Sequence, residues 1–212
     1  MIGFYNYTVI VTYISLLSSS LGLAFAMAHR PYEALLCLLL SGVCDMFDGI
    51  IARKRKNSTV EERRFGIQLD SLSDIVCFAV LPAAIGMGIA PRSGPVWRVS
   101  CAVGGLLILC ALIRLAYFNV SEETRQATEG GIRTHFLGLP VTASAVIFPF
   151  AVILAVLLPL SVRGWIYPAF AALTAVCFVL PIRVRKVRGV GLVVLGLIGL
   201  AECGGLLYFT LS

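Results

Sequence analysis

The sequence predicts an all-α integral membrane protein, a polytopic bundle of about seven transmembrane helices (six to eight) in a single domain over residues 1–212. Hydrophobic residues make up 59% of the chain and charged residues only 13%, whereas soluble domains carry about 25% charged residues. The apolar residues are gathered in runs close to the roughly 20 residues that a helix needs to cross a bilayer. Prolines, glycines and arginines between these runs mark the connections.

Seven segments have the length and apolar character of membrane spans. They run near 8–28, 32–53, 67–90, 96–119, 137–160, 165–182 and 189–211. Helix breakers occupy the stretches between them, such as HRP at 29–31 and APRSGP at 90–95. Glu33 and Glu202 fall near the outer ends of their segments and are predicted to be interfacial residues.

Basic residues are concentrated on one side of the predicted bundle. The connections 53–64, 120–136 and 183–188 together hold twelve Lys and Arg residues, and the opposite connections hold four. Because cytoplasmic loops are enriched in these residues, we expect a multi-pass protein of the cell membrane with its N-terminus and first basic connection in the cytoplasm. The basic runs contain no aromatic residues for base stacking, so no nucleic-acid partner is expected.

Four aspartates flank the first basic connection. Asp45 and Asp48 are three residues apart on the second segment, and Asp70 and Asp74 are four apart on the third, so each pair lies on one face of its helix. Ionised residues inside a membrane segment are costly and usually mark a functional site. The four aspartates therefore predict a site near the cytoplasmic rim of the membrane.

Facing carboxylates repel one another unless protons or cations lie between them. Clustered oxygen ligands favour Mg²⁺, Mn²⁺ or Ca²⁺ over zinc. Two such divalent cations would neutralise a bound pyrophosphate. Asp45, Asp48, Asp70 and Asp74 are therefore the candidate metal ligands.

Small residues and one arginine adjoin the acids. Gly49, Ala52 and Gly66 leave room for a nucleotide base or a ribose beside the metals, although such residues also serve close helix packing. Arg53 ends the second segment, where its guanidinium suits bidentate binding of phosphate.

The acidic and small residues together form a recognisable pattern. DMFDGIIAR at 45–53 and GIQLDSLSD at 66–74 follow D-x-x-D-G-x-x-A-R and G-x-x-x-D-x-x-x-D, which resembles the signature of the CDP-alcohol phosphotransferase family. Twelve residues separate Arg53 from Gly66, a longer connection than that family usually has. The segments QLDSLSDIVCFAVLPA, RLAYFNV at 114–120 and FLGLPVTASA at 136–145 are similar to the family's phosphatidylserine synthases.

The resemblance implies a reaction and a set of roles. A phosphatidyl group would pass from CDP-diacylglycerol to the hydroxyl of L-serine among the membrane lipids, giving phosphatidylserine and CMP. The aspartates would bind two divalent ions, and Asp74 would also act as the base. The residues that would contact the CDP-lipid are Thr12, Ser15, Gly49, Ala52, Arg53 and Gly66. Hydrogen bonding of Thr12 and Ser15 to their own helix is the alternative, and a homodimer is also implied.

The fourth segment supplies candidates for binding the acceptor. Arg114 is a cation in the cytoplasmic half of an apolar segment, and Asn119 follows near its end. We expect Arg114 to bind the serine carboxylate or a phosphate, with pairing to a site aspartate as the alternative. Two further functions stay open: the same chemistry with glycerol 3-phosphate or inositol phosphate as acceptor, and an ion-coupled transporter that uses intramembrane carboxylates.

Overall fold

The computed structural model of the chain describes residue 3 and residues 7–54, 59–128, 135–185 and 190–211. Within these ranges the chain forms eight α-helices and one two-stranded antiparallel sheet. The helices are α1 Tyr7–Met27, α2 Pro31–Lys54, α3 Val60–Ile75, α4 Leu81–Ile89, α5 Pro95–Thr128, α6 Ser144–Leu157, α7 Leu160–Val179 and α8 Val190–Leu211. The strands are β1 His135–Leu137 and β2 Arg183–Arg185.

The helices confirm the predicted all-α membrane bundle. Within the described ranges, five helical segments are long and apolar enough to cross a membrane: Val9–Met27, Val60–Ile89, Pro95–Thr124, Leu160–Val179 and Val194–Leu211. The apolar segment Val141–Leu157 is shorter. Helix α2, which corresponds to the second predicted span, is not among the five; it carries Glu33, Asp45 and Asp48.

Helix α3 begins earlier than the sequence pattern predicts, at Val60 rather than near 67. Thr59 Oγ1 accepts a hydrogen bond from the Glu62 amide (3.1 Å), and Glu62 Oε2 accepts one from the Thr59 amide (3.1 Å). This reciprocal capping satisfies two amide groups that a helix start otherwise leaves unpaired. Helix α3, which carries Asp70 and Asp74, therefore begins in the polar residues that precede its apolar part.

A π-helical turn, Val76–Val80, follows α3 directly and joins it to α4. The Leu81 amide donates to the carbonyl of Val76, one residue further back than in an α-helix. Pro82 accounts for the widening, because its ring clashes with the carbonyl four residues earlier and it has no amide hydrogen to donate. The turn thus connects α3, which carries Asp74, to the α4 segment that begins at Leu81.

Helix α7 holds the segment after the π-turn in place. The Tyr167 hydroxyl donates to the carbonyl of Pro82 (2.7 Å), and a Cβ on Gly86 would lie 2.7 Å from Tyr167 Cε1. Gly86 is therefore needed for the close approach of the Tyr167 ring. Phe148 of α6 stacks on the same Tyr167 ring, with centroids 5.1 Å apart, so α4, α6 and α7 share one packed contact.

The fifth predicted span starts later than expected, because 135–137 pair with 183–185 as strands β1 and β2. Gly138 then turns the chain with a φ of +78°, and its amide donates to the carbonyl of Ile182 (2.8 Å). A side chain at Gly138 would collide with the Phe178 carbonyl, which lies 2.8 Å from an added Cβ. A short 3-10 turn, Val141–Ala143, leads into α6.

Candidate active site

Three of the four aspartates come together between α2 and α3. Asp45, Asp70 and Asp74 each offer a carboxylate oxygen, and these oxygens all lie within 4.8 Å of one another. All three side chains are half-buried. The i, i+4 spacing of Asp70 and Asp74 brings them to one face, as the sequence predicts.

The donor set fits a divalent cation. Carboxylate oxygens are the ligands that Mg²⁺, Mn²⁺ and Ca²⁺ prefer. Three carboxylates at this distance repel one another strongly in a half-buried setting, and a cation between them removes that repulsion. Asp45, Asp70 and Asp74 are thus the residues of the described chain that are best arranged to hold such an ion.

Asp48 lies outside this group. Its Oδ2 accepts a hydrogen bond from Thr12 Oγ1 (3.4 Å), which ties α2 to α1. Thr12 therefore contacts helix α2 through Asp48. The predicted role of Asp48 as a metal ligand, and that of Thr12 in lipid binding, stay predictions.

A cavity of about 910 Å³ opens beside the carboxylate group. Its walls come from α3 between Val60 and Asp74, from α5 between Arg114 and Glu123, and from the 3-10 turn with Pro140. Asp70 and Asp74 line the cavity together with the two residues predicted to bind an acceptor, Arg114 and Asn119. Residues that are 40 or more positions apart in the sequence thus line one cavity.

Arg114 is buried in the wall of this cavity, with 8% of its surface exposed. Its guanidinium carbon lies 5.9 Å from the centroid of the Phe118 ring one turn later on α5. The aromatic face limits the directions that the guanidinium can take. The burial agrees with the expectation of a cation deep in an apolar segment.

Asn119 is held by a residue that sequence reasoning missed. Its Nδ2 donates to Ser71 Oγ (2.9 Å), and the Ser71 hydroxyl also lies 3.2 Å from Asn119 Oδ1, to which it can donate. Ser71 lines the cavity as well. Its position next to Asp70 was the available signal, but a serine on a helix carries no specific pattern of its own.

The structure describes the surroundings of only some of the residues predicted to contact the CDP group. A Cβ placed on Gly66 would meet no atom within 4 Å, so open space adjoins this position. Gly49, Ala52 and Arg53 belong to α2, but their immediate surroundings and side chains fall outside the described residues.

Ser15 is buried between helices rather than bonded to its own. Its hydroxyl donates to the carbonyl of Ser41 on α2 (3.3 Å) and lies 3.5 Å from Cys77 Sγ in the π-turn. Ser19 Oγ and Ser41 Oγ form a second contact between α1 and α2 (2.8 Å). This serine-rich interface packs the two helices closely, while a contact of Ser15 with a lipid nucleotide stays a prediction.

The chain is similar to known proteins over much of its length. The family model for CDP-alcohol phosphatidyltransferase matches residues 5–181. The CDP-diacylglycerol–serine O-phosphatidyltransferase of Helicobacter pylori strain 26695 is 29% identical over 151 residues, which are 71% of this chain and 58% of that protein. The archaetidylserine synthase of Methanothermobacter thermautotrophicus is 35% identical over 113 residues, 53% of this chain and 43% of that protein.

A eukaryotic relative is similar over a comparable stretch. The CDP-diacylglycerol–serine O-phosphatidyltransferase of Saccharomyces cerevisiae is 33% identical over 123 residues, 56% of this chain and 42% of that protein. The chain thus spans about half the length of the curated relatives that it matches. Because the family model covers most of the chain and includes both aspartate pairs, the chain belongs to the CDP-alcohol phosphatidyltransferase family.

Proposed function

We propose that this protein transfers a phosphatidyl group from CDP-diacylglycerol to the hydroxyl of L-serine, giving phosphatidylserine and CMP. One observation carries the proposal: Asp70 and Asp74 of the carboxylate group line the same cavity as Arg114 and Asn119. The names of the H. pylori and S. cerevisiae relatives support serine as the acceptor.

Asp74 is the proposed general base. It accepts the proton of the serine hydroxyl as that oxygen attacks the lipid-side phosphorus of the diphosphate. The new bond joins the serine oxygen to this phosphorus. The bond from the phosphorus to the oxygen of CMP breaks, and CMP leaves with the electron pair. A hydroxyl is a weak nucleophile at neutral pH, so it needs a nearby base such as this carboxylate to accept its proton.

Two divalent cations, Mg²⁺ or Mn²⁺ with Ca²⁺ as a further candidate, complete the proposed site. Asp45, Asp70 and Asp74 would hold them together with Asp48. Bound there, the cations would neutralise charge that develops on the diphosphate. Arg53 would bind a phosphate of the nucleotide, and Gly49, Ala52 and Gly66 would make room for the cytidine.

The site is proposed to face the cytoplasm from the cell membrane, because the basic connections of the sequence adjoin the acidic end of the bundle. Serine would enter from the aqueous side while the acyl chains stay in the bilayer. The proposed assembly is a homodimer, as expected for the family.

The deciding experiment is an acceptor panel with purified protein. CDP-diacylglycerol is incubated with L-serine, glycerol 3-phosphate or inositol phosphate, with Mg²⁺, with Mn²⁺ or with a chelator, and the release of CMP is measured. We expect release with L-serine and metal only. Release with a different acceptor alone would replace serine in the proposal. Cation-driven flux through reconstituted protein without any CMP release would favour the transporter.

A further inference from the structure

We propose that Ser71 is a positioning residue that orients the Asn119 amide so that its carbonyl oxygen receives the ammonium group of an amino-acid acceptor. The inference rests on the proposed function and deepens it, since it states how the site recognises a zwitterionic alcohol. Together with Arg114 and Asp74, the amide would give the acceptor three points of attachment.

The hydroxyl of Ser71 faces both polar atoms of the Asn119 amide, at 2.9 Å from Nδ2 and 3.2 Å from Oδ1. An amide nitrogen has two hydrogens and the oxygen two lone pairs. Contact with one hydroxyl therefore uses about half of this capacity. The remaining hydrogen and lone pair are available to a ligand in the cavity, which both residues line.

Helices α3 and α5 run antiparallel, and this sets the order of the cavity residues along them. Ser71 contacts Asn119, and nearer the start of α3 Arg64 contacts Glu123 across a 3.1 Å ion pair. Asp74 lies three residues after Ser71, and Arg114 lies five residues before Asn119. Asp74 and Arg114 therefore both lie further from the Arg64–Glu123 ion pair, along the helices, than the Ser71–Asn119 pair does.

Arg114 and Asn119 suit the two charged groups of a small amino acid. They lie five residues apart on α5, about 7.5 Å along the helix axis, and both line the same cavity. The proposed pose places the amino acid between these two side chains. In this pose the carboxylate meets the guanidinium of Arg114, which suits bidentate binding, and the ammonium donates to Asn119 Oδ1.

The third substituent, the hydroxymethyl group, then decides whether the acceptor can react. In the proposed pose the hydroxymethyl group of the L-enantiomer points towards Asp74, whereas in the D-enantiomer the hydroxymethyl group and the hydrogen on the α-carbon exchange places. An acceptor without an ammonium group leaves the second lone pair of the amide oxygen without a donor in a partly buried wall, which costs binding energy. The proposed recognition thus selects both the charge pattern and the hand of the acceptor.

The test compares Ser71→Ala and Ser71→Thr with the wild type. Ser20→Ala is the matched control, because the Ser20 hydroxyl is exposed and donates within its own helix α1, to the carbonyl of Leu16 (2.8 Å). We expect Ser71→Ala to raise the KM for L-serine by about 3- to 10-fold, the effect of one hydrogen bond. The kcat and the KM for CDP-diacylglycerol should stay within about twofold, and Ser71→Thr should restore the KM for serine.

A second readout does not depend on turnover. L-Serine should raise the thermal unfolding midpoint of the purified wild type and of Ser20→Ala in the presence of a chelator, and raise it less in Ser71→Ala. Discrimination between L- and D-serine should fall in the same variant. If Ser71→Ala does not fold, Ser71→Cys, whose thiol is a weak donor, should give an intermediate KM.

The failures of the two proposals are distinguishable. A wild type that releases no CMP with L-serine overturns the proposed function and the role of Ser71 with it. A wild type that uses L-serine while Ser71→Ala keeps its serine KM and its enantiomer preference overturns the role of Ser71 alone. Equal increases of the KM for both substrates would assign Ser71 a purely structural role and also overturn the proposal.

Discussion

At the scale of single residues, spacing accounts for how Asp70 and Asp74 come to one helix face, but it does not decide which neighbour Asp48 meets. Asp70 and Asp74, four apart, join the group with Asp45, whereas Asp48 is bonded to Thr12. Residues three apart on a helix differ by about 60° in direction. That angle is enough for Asp45 to face α3 while Asp48 faces α1, and the sequence does not reveal which neighbour each face meets.

Replacement of Asp74 by Asn tests its role as the base. The amide keeps the size of the side chain but cannot accept the proton of the acceptor, so we expect kcat to fall by at least about 100-fold. CMP release from CDP-diacylglycerol and serine is the measurement. Glu61→Gln, the same acid-to-amide change on the exposed first turn of α3, should keep wild-type activity. An Asp74→Asn variant with more than a tenth of that activity would assign the base to another residue.

At the scale of elements, the order of the helices follows from apolar runs, but their ends and joints follow from local chemistry. The start of α3 depends on the Thr59–Glu62 capping pair, a T-x-x-E pattern that the sequence contains in a basic connection where the apolar signal is weak. The π-turn after Asp74 depends on Pro82 and on its contact with Tyr167. Hydropathy cannot report a proline-induced change of helix type inside a continuous apolar run.

Pro82→Ala tests whether the π-turn directs Asp74. Alanine restores an amide donor and removes the ring, which favours a regular α-helix by up to about 3 kcal/mol. We expect an unchanged or higher thermal midpoint together with at least about a tenfold loss of CMP release. Pro91→Ala, in the exposed connection before α5, should change neither quantity. Full activity in Pro82→Ala would show that the π-turn does not position the site.

Tyr167→Phe tests the contact that holds the turn. The variant loses only the hydroxyl that donates to the buried Pro82 carbonyl, so we expect a loss of about 1–3 kcal/mol in the free energy of unfolding. Thermal or denaturant unfolding in detergent measures it. Tyr208→Phe, which removes the hydroxyl of an exposed side chain of α8, is the control. Equal stability of the two variants would contradict the importance of the Pro82 contact.

At the scale of the whole molecule, the bundle was predictable and the cavity was not. Each apolar segment corresponds to a helical stretch, whereas the cavity wall at Pro140 depends on the strand pair and on the Gly138–Ile182 hydrogen bond between distant parts of the chain. The expectation that Glu202 is interfacial was wrong: it is 5% exposed, and its carboxylate oxygens have no hydrogen-bond partner among the described residues. Hydropathy identifies the apolar segments but does not show which face of α8 packs against the other helices.

Glu202→Met tests the cost of this buried carboxyl. An apolar side chain of similar length removes the penalty of burying a polar group without a partner, about 1–3 kcal/mol. At about 2–4 °C per kcal/mol for a chain of this size, the thermal midpoint should rise by several degrees. Glu33→Met, which breaks the Arg30–Glu33 ion pair, should not raise it. A lower midpoint in Glu202→Met would show that the carboxyl stabilises the bundle.

The binding of Mn²⁺ tests most directly the claim that the carboxylates of α2 and α3 form a metal site. Free Mn²⁺ is measured by electron paramagnetic resonance during titration of the purified wild type, of Asp70→Asn and of the control Glu61→Gln. The account predicts tight binding by the wild type and the control, and at least about a tenfold weaker affinity in Asp70→Asn. The same Mn²⁺ affinity and stoichiometry in all three proteins would contradict it.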